Sequence, residues 1–466
     1  MDRLIRDKVA IVTIGDTRVS FYNQRKHIVD AEKDKIMELF SDDFELYMPE
    51  PVFSTKGGKD IANTIKEKRI GAVIIHLPIW GTPALAAEIA YSVDLPVLIL
   101  GNLRSDSSSL VTLLAVAGML EQEGKKCIRV SGDIVSADIK KQVDDFIKAA
   151  NLVERVRQSY FGLIGGRSIG IGTTVFDPSQ WQKVFGISMD HKDQYEIVYR
   201  AENIDEKRIN QHLEWIKNGA KIEYEGRFDS ESLIRQIRSY LALKDIVSES
   251  GFDFLGLKCQ TEMSDHYALQ CVAVALLNND VDAEGKKTVI PTSCECDADG
   301  ALTMRILSLL AGESPSNLVD IKFFEKTKKE FILANCGSMA PYFSKDERSE
   351  NQWDNTILMQ HSFGEAGGAS LQMIAKEGNV TIARLFRKNG KYIMGFFEGV
   401  LEMRPIEELR KTAWCYPHEF VRADIDYDKF YQTMNSNHLH TVYGNYNNIL
   451  KNYCEMIGID YICYNV

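Results

Sequence analysis

Three short segments of this sequence carry acidic and imidazole side chains in patterns that suit acid–base or metal chemistry. The densest is the segment 291–300, PTSCECDADG, in which Glu295 is followed by two aspartates at alternate positions. Asp297 and Asp299 precede a predicted helix over Ala301–Leu310, and acidic residues are favoured at helix N-termini, so helix capping accounts for both. Capping does not account for Glu295, which stands between two cysteines.

The other two segments each add a candidate group. Asp320 lies in the apolar run NLVDIKFF, where a carboxylate is either satisfied inside the core or functional. The segment Asn437-His438-Leu439-His440 places two imidazoles at i and i+2 in a polar stretch that we predict to be a loop. Two carboxylates and one histidine together suit an oxygen-preferring divalent cation such as Mn²⁺ or Mg²⁺. Their wide spacing along the chain leaves open whether they meet.

The nine cysteines offer weaker alternatives. Their number is odd, no C-x-x-C pair occurs and most of them lie in apolar runs, a pattern that predicts free thiols in a reducing compartment. The spacing of Cys294 and Cys296 is too short for an ordinary zinc knuckle, and no second pair follows. No feature of the sequence marks one thiol as the nucleophile of a Cys–His pair.

Composition excludes several classes of partner. Asp and Glu number 66 against 55 Lys and Arg, a net charge of −11, and nucleic-acid binding usually leaves a basic footprint. No run approaches the roughly 18 apolar residues of a membrane span. The N-terminal segment MDRLIRDKVAIVTIGD enters a strand-like run without a signal core. We therefore expect a cytoplasmic protein with neither a nucleic-acid nor a membrane partner.

The pattern of strand-like and helix-like runs gives the elements that must position these residues. Alternation from residue 1 to about 155 predicts a parallel, doubly wound α/β domain. Its ligands are expected at the carboxyl ends of the strands, which are Gly15–Arg18, His76–Gly81, Gly101–Arg104 and Ser131–Asp133. Residues 156–310 again mix helices and strands and are predicted to form a second α/β domain. From 311 to 466, short strand-like runs and a hairpin signal at Lys388–Lys391 predict antiparallel β-structure.

Taken in order, motifs from nearly the whole chain resemble the L-fucose/L-arabinose isomerase family, and most closely its fucose isomerase branch. They are IVTIGDTRVSFYN, HLPIWGTPALAAEIA and LVTLLAVAGMLEQEGKK in the first domain, GGRSIGIGTTVFDPSQWQKVFGI, LKCQTEMSDHYALQC and CECDADGALTMRIL in the second, and VDIKFF, ILANCGS, GNVTIARL and NHLHTVYG in the third. The resemblance implies two Rossmann-like doubly wound α/β domains followed by a C-terminal antiparallel β-barrel-like domain.

The resemblance also implies a sugar ketol-isomerase, an intramolecular oxidoreductase that uses a divalent metal, usually Mn²⁺, with Mg²⁺ or Co²⁺ as alternatives. The family's metal ligands match Glu295, Asp320 and His438, and His440 is the second choice for the histidine. Where the arabinose branch has a further metal-binding histidine, this chain has Asn335-Cys336-Gly337, which favours the fucose-like ligand set.

The implied reaction moves a proton between C1 and C2 of a monosaccharide through a cis-enediol. Glu295 and Asp320 would be the acid/base pair, and the metal would polarise the carbonyl. The family's active site is shared between subunits, which implies a homotrimer or homohexamer. The family's sugar-contacting positions match Arg18, Trp80, Gln260 and Asn437.

Two alternatives stay open at this point. The substrate could be an anionic hexose, sulfonated or phosphorylated, paired with Arg18 or Lys258. The chain could instead be a non-catalytic sugar-binding sensor built from the same domains. Because a sensor has no need of an acid/base metal site, the presence of Glu295, Asp320 and His438 together favours the isomerase.

Overall fold

The computed structural model of the protein describes residues 7–412 and 416–466. Cys415 and the first six residues of the N-terminal segment therefore lie outside the described residues. The chain divides into two compact units, one of Met1–Glu154 with Asn448–Ile457 and the other of Arg155–Asn447 with Gly458–Val466. The finer division at residues 155 and 310 stays a prediction.

The first unit is built on a parallel sheet of buried, β-branched strands, as expected when helices cover both faces. Its strands are β1 (Lys8–Thr13), β2 (Glu45–Tyr47), β3 (Ala72–Leu77), β4 (Val97–Gly101) and β5 (Ile128–Ser131), in the order β2-β1-β3-β4-β5. Its helices are α1 (Val19–Asn23), α2 (Lys26–Phe40), α3 (Thr55–Glu67), α4 (Pro83–Ser92), α5 (Ser109–Gln122) and α6 (Ala137–Arg157). The strand order reverses between β1 and β3, where such sheets form a ligand crevice.

The second unit begins with a four-stranded parallel sheet in the order β12-β9-β6-β7. The strands of the second unit as far as residue 293 are β6 (Tyr160–Ile164), β7 (Ser188–Lys192), β8 (Lys221–Glu223), β9 (Phe254–Leu257), β10 (Val281–Asp282), β11 (Gly285–Lys286) and β12 (Thr292–Ser293). The helices are α7 (Pro178–Phe185), α8 (Gln194–Ala201), α9 (Glu206–Gly219), α10 (Ser230–Ser250), α11 (Glu262–His266), α12 (Cys271–Asn278) and α13 (Ala298–Leu310). Single 3₁₀ turns occur at Gly172–Thr174, Cys294–Cys296 and Pro341–Phe343.

A large mixed sheet occupies the C-terminal part of the second unit. The remaining strands are β13 (Asn317–Glu325), β14 (Glu330–Ala334), β15 (Ile357–Gln360), β16 (Ala369–Gln372), β17 (Gly378–Lys388), β18 (Lys391–Leu401), β19 (His418–Arg422), β20 (His438–Tyr443) and β21 (Asp460–Cys463). The remaining helices are α14 (Ile406–Arg410) and α15 (Tyr427–Thr433) of this unit and α16 (Asn447–Ile457), which from Asn448 onward belongs to the first unit. The large sheet has the order β17-β20-β13-β14-β19-β18-β21, and β17 also pairs with β18. Strands β15, β16 and β8 form a separate sheet.

The coarse fold prediction is confirmed: parallel α/β sheets precede a β-rich C-terminal region. The predicted hairpin is present, with β17 and β18 joined by a turn in which Asn389 and Gly390 have φ of 51° and 75°, as a type I′ turn requires. The barrel-like form and the count of two Rossmann-like domains stay predictions. All eight cysteines among the described residues are free thiols, as expected. Within residues 7–412 and 416–466, no helix combines the length and apolar character needed to cross a membrane.

One local prediction is wrong. The segment containing His438 and His440 is predicted to be a polar loop, but β20 begins at His438 and pairs on its two sides with β13 and β17. Its residues His438 to Val442 are buried. The polar composition was misleading because buried carboxylates on neighbouring elements accept hydrogen bonds from two of its side chains, His438 and Thr441.

Candidate active site

Strand pairing brings the second and third candidate segments together. In the antiparallel ladder of β13 and β20, Asp320 lies directly opposite His438, so their side chains are cross-strand neighbours. The pairing of β13 with β14 shifts register between Ile321 and Phe323. Such a bulge bends a strand and redirects its side chains. His438 Nε2 lies 3.7 Å from Asp320 Oδ1.

Glu295 reaches the same imidazole from a turn at the end of the parallel sheet. The 3₁₀ turn Cys294–Cys296 follows β12, and both Glu295 and Cys296 have positive φ, at 59° and 55°. Left-handed backbone in non-glycine residues costs roughly 1–3 kcal/mol each and persists where surrounding contacts impose it. Here the Cys296 thiol donates toward the carbonyls of Ile164 and Gly256, at 3.4 and 3.5 Å. The turn directs Glu295 Oε2 to 3.3 Å from His438 Nε2.

Asp297 fixes the other side of the imidazole. It is the N-cap of α13 and accepts a hydrogen bond from the Gly300 backbone N–H at 2.9 Å. Its carboxylate also accepts two hydrogen bonds from the buried Arg384 guanidinium and one from His438 Nδ1 at 2.7 Å. Because a carboxylate can only accept, Nδ1 carries the proton, and Nε2 faces Glu295 and Asp320. Capping was predicted for Asp297, but its roles toward Arg384 and His438 were missed.

Glycine at position 300 makes this packing possible. A Cβ there would lie 2.6 Å from Asp297 Oδ2 and 2.8 Å from an Arg384 nitrogen. Both distances are closer than ordinary contacts. The signal that could have revealed the pair is Arg384 itself, a cation inside the apolar run NVTIARLF, since buried charges are almost always paired.

The electrostatics of the site follow from this arrangement. Burial by itself would lower the pKa of His438, but its hydrogen bonds to Asp297 and Glu295 raise that pKa to about 10. Burial raises the pKa of Asp320 to about 6, against the opposing charge of His438. Burial also opposes ionisation of Asp297, yet the charge of Arg384 and the hydrogen bond from His438 hold its pKa well below the usual range. The carboxylates thus converge on a place that requires positive charge.

The donor set fits a divalent cation. Glu295, Asp320 and His438 would supply carboxylate oxygens and one imidazole nitrogen, the donor types that Mn²⁺ and Mg²⁺ accept, and both carboxylates lie within 3.7 Å of His438 Nε2. Metal-ligating histidines usually donate their other N–H to a carboxylate, as His438 does to Asp297. Within the described ranges, no group of three or more His, Cys, Asp or Glu side chains stands in an arrangement that could already hold a metal ion.

The substrate-contact candidates in the second unit lie at two places. Asn437 directly precedes β20, and its Nδ2 donates to Asp320 Oδ1 at 2.9 Å, which places it at the site. Gln260 follows β9, and its backbone carbonyl accepts a hydrogen bond from Ser168 Oγ at 3.1 Å. Its position at the carboxyl end of a parallel strand, like that of the Glu295 turn, agrees with the rule for ligand sites in such sheets.

The two candidates in the first unit meet at a common partner. Arg18 forms a bidentate pair with Asp16, its Nε and Nη2 lying 3.0 and 2.7 Å from the two carboxylate oxygens. The Arg18 hydrogen bond and, to a smaller degree, that of Trp80 lower the pKa of Asp16. These residues follow β1 and β3, on either side of the point where strand order reverses. Arg18 and Trp80 therefore share one crevice edge within the first unit.

Two further expectations concern neighbouring residues. His440 lies two residues along β20 from His438 and is fully buried, and burial holds its pKa well below the usual range. The contacts with Glu295 and Asp320 are made by His438. The capping role expected for Asp299 is wrong: its carboxylate accepts hydrogen bonds from the buried Trp181 and Tyr392 and from the partly exposed Arg387.

Comparison with known proteins places this chain in a family. Residues 7–158 match the family model described as L-fucose isomerase, first N-terminal domain, and residues 333–465 match L-fucose isomerase, C-terminal domain. Together these matches cover more than half of the chain. The chain belongs to the L-fucose isomerase family, whose members are sugar isomerases.

Individual relatives are distant. A sulfoquinovose isomerase from Alkalicoccus urumqiensis is 20% identical over 58% of this chain and 57% of its own length. An L-fucose isomerase from Streptococcus pneumoniae (strain Hungary19A-6) is 21% identical over 56% of this chain and 49% of its own. The chain thus spans about half the length of the curated relatives it matches. A solved solute-binding protein of an ABC transporter from Burkholderia multivorans covers 55% of this chain and 81% of its own at 12% identity, with a TM-score of 0.17, too low to inform on fold or ligand.

The contrast between Asp297 and Asp299 gives a first prediction. Replacing Asp297 by Asn keeps a good N-cap residue but leaves the buried Arg384 without its counter-charge, which we expect to cost about 3–5 kcal/mol of unfolding free energy. Asp299→Asn should cost only about 1 kcal/mol, because burial raises the pKa of Asp299 to about 6 and Arg387 is partly exposed. Urea unfolding at pH 7 measures both. Equal losses for the two variants would contradict the role assigned to Asp297.

The raised pKa of His438 gives a second prediction, for the metal-free protein in EDTA. Because its folded pKa of about 10 exceeds the unfolded value of about 6.5, its stabilising contribution is fully present below pH 6.5 and is lost as pH rises through 10. The stability difference between wild type and His438→Asn should therefore shrink from pH 7 to 10, by about 1.4 kcal/mol per pH unit. Exposed His266→Asn is the control. A difference that does not change with pH would refute the assignment.

Proposed function

We propose that this protein is a metal-dependent aldose–ketose isomerase that acts on a monosaccharide by proton transfer between C1 and C2 through a cis-enediol. The observation that carries the proposal is the convergence of Glu295 and Asp320 on His438 Nε2, while Asp297 holds Nδ1. Such a set has no evident use in a sugar-binding sensor. Its residues come from three separate segments of the chain, and His438 and Asp297 among them are fully buried.

In this proposal Glu295 and Asp320 are the acid/base pair. One carboxylate removes the proton from the carbon next to the carbonyl, and the other moves the hydroxyl proton between the two oxygens. Burial raises the pKa of Asp320 to about 6 in the metal-free protein; a bound cation would lower that pKa and keep the carboxylate ionised, in the form that can accept a proton. Asn437, bonded to Asp320, is positioned to orient that carboxylate and to offer its amide to a sugar hydroxyl.

Glu295, Asp320 and His438 would also hold the divalent cation. We propose Mn²⁺, with Mg²⁺ or Co²⁺ as substitutes, because carboxylate and imidazole ligands without thiolates suit these ions. When bound, the cation supplies positive charge that stabilises the enediolate oxygens. Asp297 keeps the His438 proton on Nδ1, so that the Nε2 lone pair is available as a ligand.

The contacts of Arg18 and Lys258, the two side chains considered as partners of an anionic substrate, support a neutral sugar as the substrate. Arg18 is paired with Asp16, and Lys258 Nζ lies 2.7 Å from the Glu262 carboxylate. Since each charge already has a partner, a sulfonate or phosphate would have to displace a carboxylate. The similarity to a sulfoquinovose isomerase keeps the anionic alternative worth testing. Arg18, Trp80 and Gln260 remain proposed sugar contacts, and a cytoplasmic homotrimer or homohexamer with shared sites remains the proposed assembly.

A panel of aldoses tests the proposal. Deoxy, neutral and anionic aldoses are incubated with the protein and Mn²⁺, and ketose formation is measured. We expect turnover of a deoxy or neutral aldose, and a loss of at least about 100-fold in kcat for Glu295→Gln, the scale of general acid–base catalysis.

The matched control for this panel is Glu398→Gln, because Glu398 is likewise a half-buried carboxylate of the second unit, on β18 and bonded to the Asn447 backbone N–H. It should keep its activity, and thermal unfolding verifies that both variants fold. If no aldose is converted, or if Glu295→Gln stays active, the proposal fails. Turnover of anionic aldoses alone would replace the neutral-sugar assignment by the alternative.

A further inference from the structure

Three thiols from separate segments of the second unit meet next to the candidate active site. Cys271 is the first residue of α12, Cys294 opens the turn that carries Glu295, and Cys336 follows β14. Hydrogen bonding to the Cys271 and Cys294 thiols lowers the pKa of the Cys336 thiol. Cys271 Sγ also lies 4.0 Å from the Cys336 carbonyl oxygen. None of the roles assigned to the site uses these sulfur atoms.

The three thiols differ in access to solvent. Cys271 and Cys294 are each only 5% exposed, whereas Cys336 is half-buried. His361 lies against Cys336, and the Cys271 and Cys294 thiols together with the His361 imidazole hold the pKa of the Cys336 thiol below its usual range. Cys336 thus combines the greatest residue exposure of the three with a lowered thiol pKa, two properties that favour reaction with a small oxidant.

The backbone at Cys336 brings it close to Cys271 in particular. Gly337 has a φ of +135°, and a Cβ at this position would lie 3.2 Å from Cys271 Sγ, so the main chain passes tightly over that sulfur. The remaining nearby thiol, Cys259, accepts a hydrogen bond from the Gln270 backbone N–H at 3.4 Å and is engaged there. Cys294 is constrained by the left-handed turn that follows it.

We propose that Cys336 and Cys271 are a peroxide-oxidisable dithiol, with Cys336 as the attacking thiol and Cys271 as the resolving one. The Cys336 sulfur attacks hydrogen peroxide, breaking its O–O bond, forming a sulfenic acid and releasing one water. The Cys271 sulfur then attacks the sulfenic sulfur, the S–S bond forms and a second water leaves. The two thiols are oxidised by two electrons and the peroxide is reduced by two. A thiol reductant reverses the change.

Oxidation would reach the candidate metal centre through the third thiol. Cys294 loses its hydrogen-bonding partner when Cys336 enters a disulfide, and Cys294 directly precedes Glu295. The disulfide would also constrain the segment that precedes Cys336. This segment follows β14, which pairs with β13 and places Ala334 opposite Asp320. Since loss of groups that orient metal ligands typically weakens binding 10–100-fold, we expect the oxidised protein to bind Mn²⁺ at least about tenfold more weakly.

The test is mass spectrometry of the full chain after titration with hydrogen peroxide. We expect a loss of about 2 Da per chain, a Cys271–Cys336 crosslink in the peptide map after alkylation of free thiols, and full reversal by dithiothreitol. Cys336→Ser should abolish the crosslink. Cys271→Ser should leave Cys336 to gain oxygen atoms as sulfinic acid. Cys127→Ser is the matched control, a half-buried cysteine of the first unit, and should behave as wild type.

Each other result overturns a stated part of the inference. A Cys294–Cys336 crosslink in wild type would overturn the choice of Cys271, and accumulation of sulfinic acid on wild-type Cys336 without any crosslink would overturn the dithiol. An unchanged Mn²⁺ affinity in the crosslinked protein would overturn the link to the metal centre. The crosslink is read by mass alone, so failure of the proposed isomerase function leaves this result interpretable.

Discussion

A single buried carboxylate, that of Asp297, joins the elements on which the candidate site depends. It caps α13, pairs with Arg384 on β17 and accepts a hydrogen bond from Nδ1 of His438 on β20. Buried ion pairs contribute little net stability over apolar packing, but they are costly to break, and they can specify one arrangement over others. Here the pair connects the end of the parallel sheet to strands β17 and β20 of the mixed sheet, so that Glu295 and Asp320 approach the same imidazole nitrogen.

The family matches and the site geometry come from different parts of the chain. The two matched regions, 7–158 and 333–465, include His438 but leave out the segment that carries Glu295 and Asp320. The structure supplies what those matches lack, because the register of β13 against β20 and the left-handed turn at Glu295 direct both carboxylates at His438. Family membership and local geometry thus support the proposed isomerase independently.

Much of this arrangement was predictable from the sequence, and the rest was hidden for physical reasons. The alternation of strand-like and helix-like runs indicates parallel sheets, and Asn389-Gly390 indicates the hairpin of β17 and β18. Nothing local indicates that Asp320 lies opposite His438, since register depends on pairing between distant strands. The polar residues around His438 are typical of a loop, and the buried carboxylates that accept their hydrogen bonds, Asp297 and Glu419, are distant in sequence. The prediction that Asp297 caps a helix is correct, but it leaves out the ion pair with Arg384. An arginine in an apolar run indicates a buried acidic partner, and this signal in Arg384 was missed.

The most direct test of the central claim, that Glu295, Asp320 and His438 form one divalent metal centre, is isothermal titration of the metal-free protein with Mn²⁺ at pH 8 in buffers of different ionisation enthalpy. The account predicts one saturable site per chain and release of about one proton, because His438 must lose its extra proton to become a ligand. Asp320→Asn should abolish this binding. Absence of a saturable site, or equal binding by Asp320→Asn, would contradict the account.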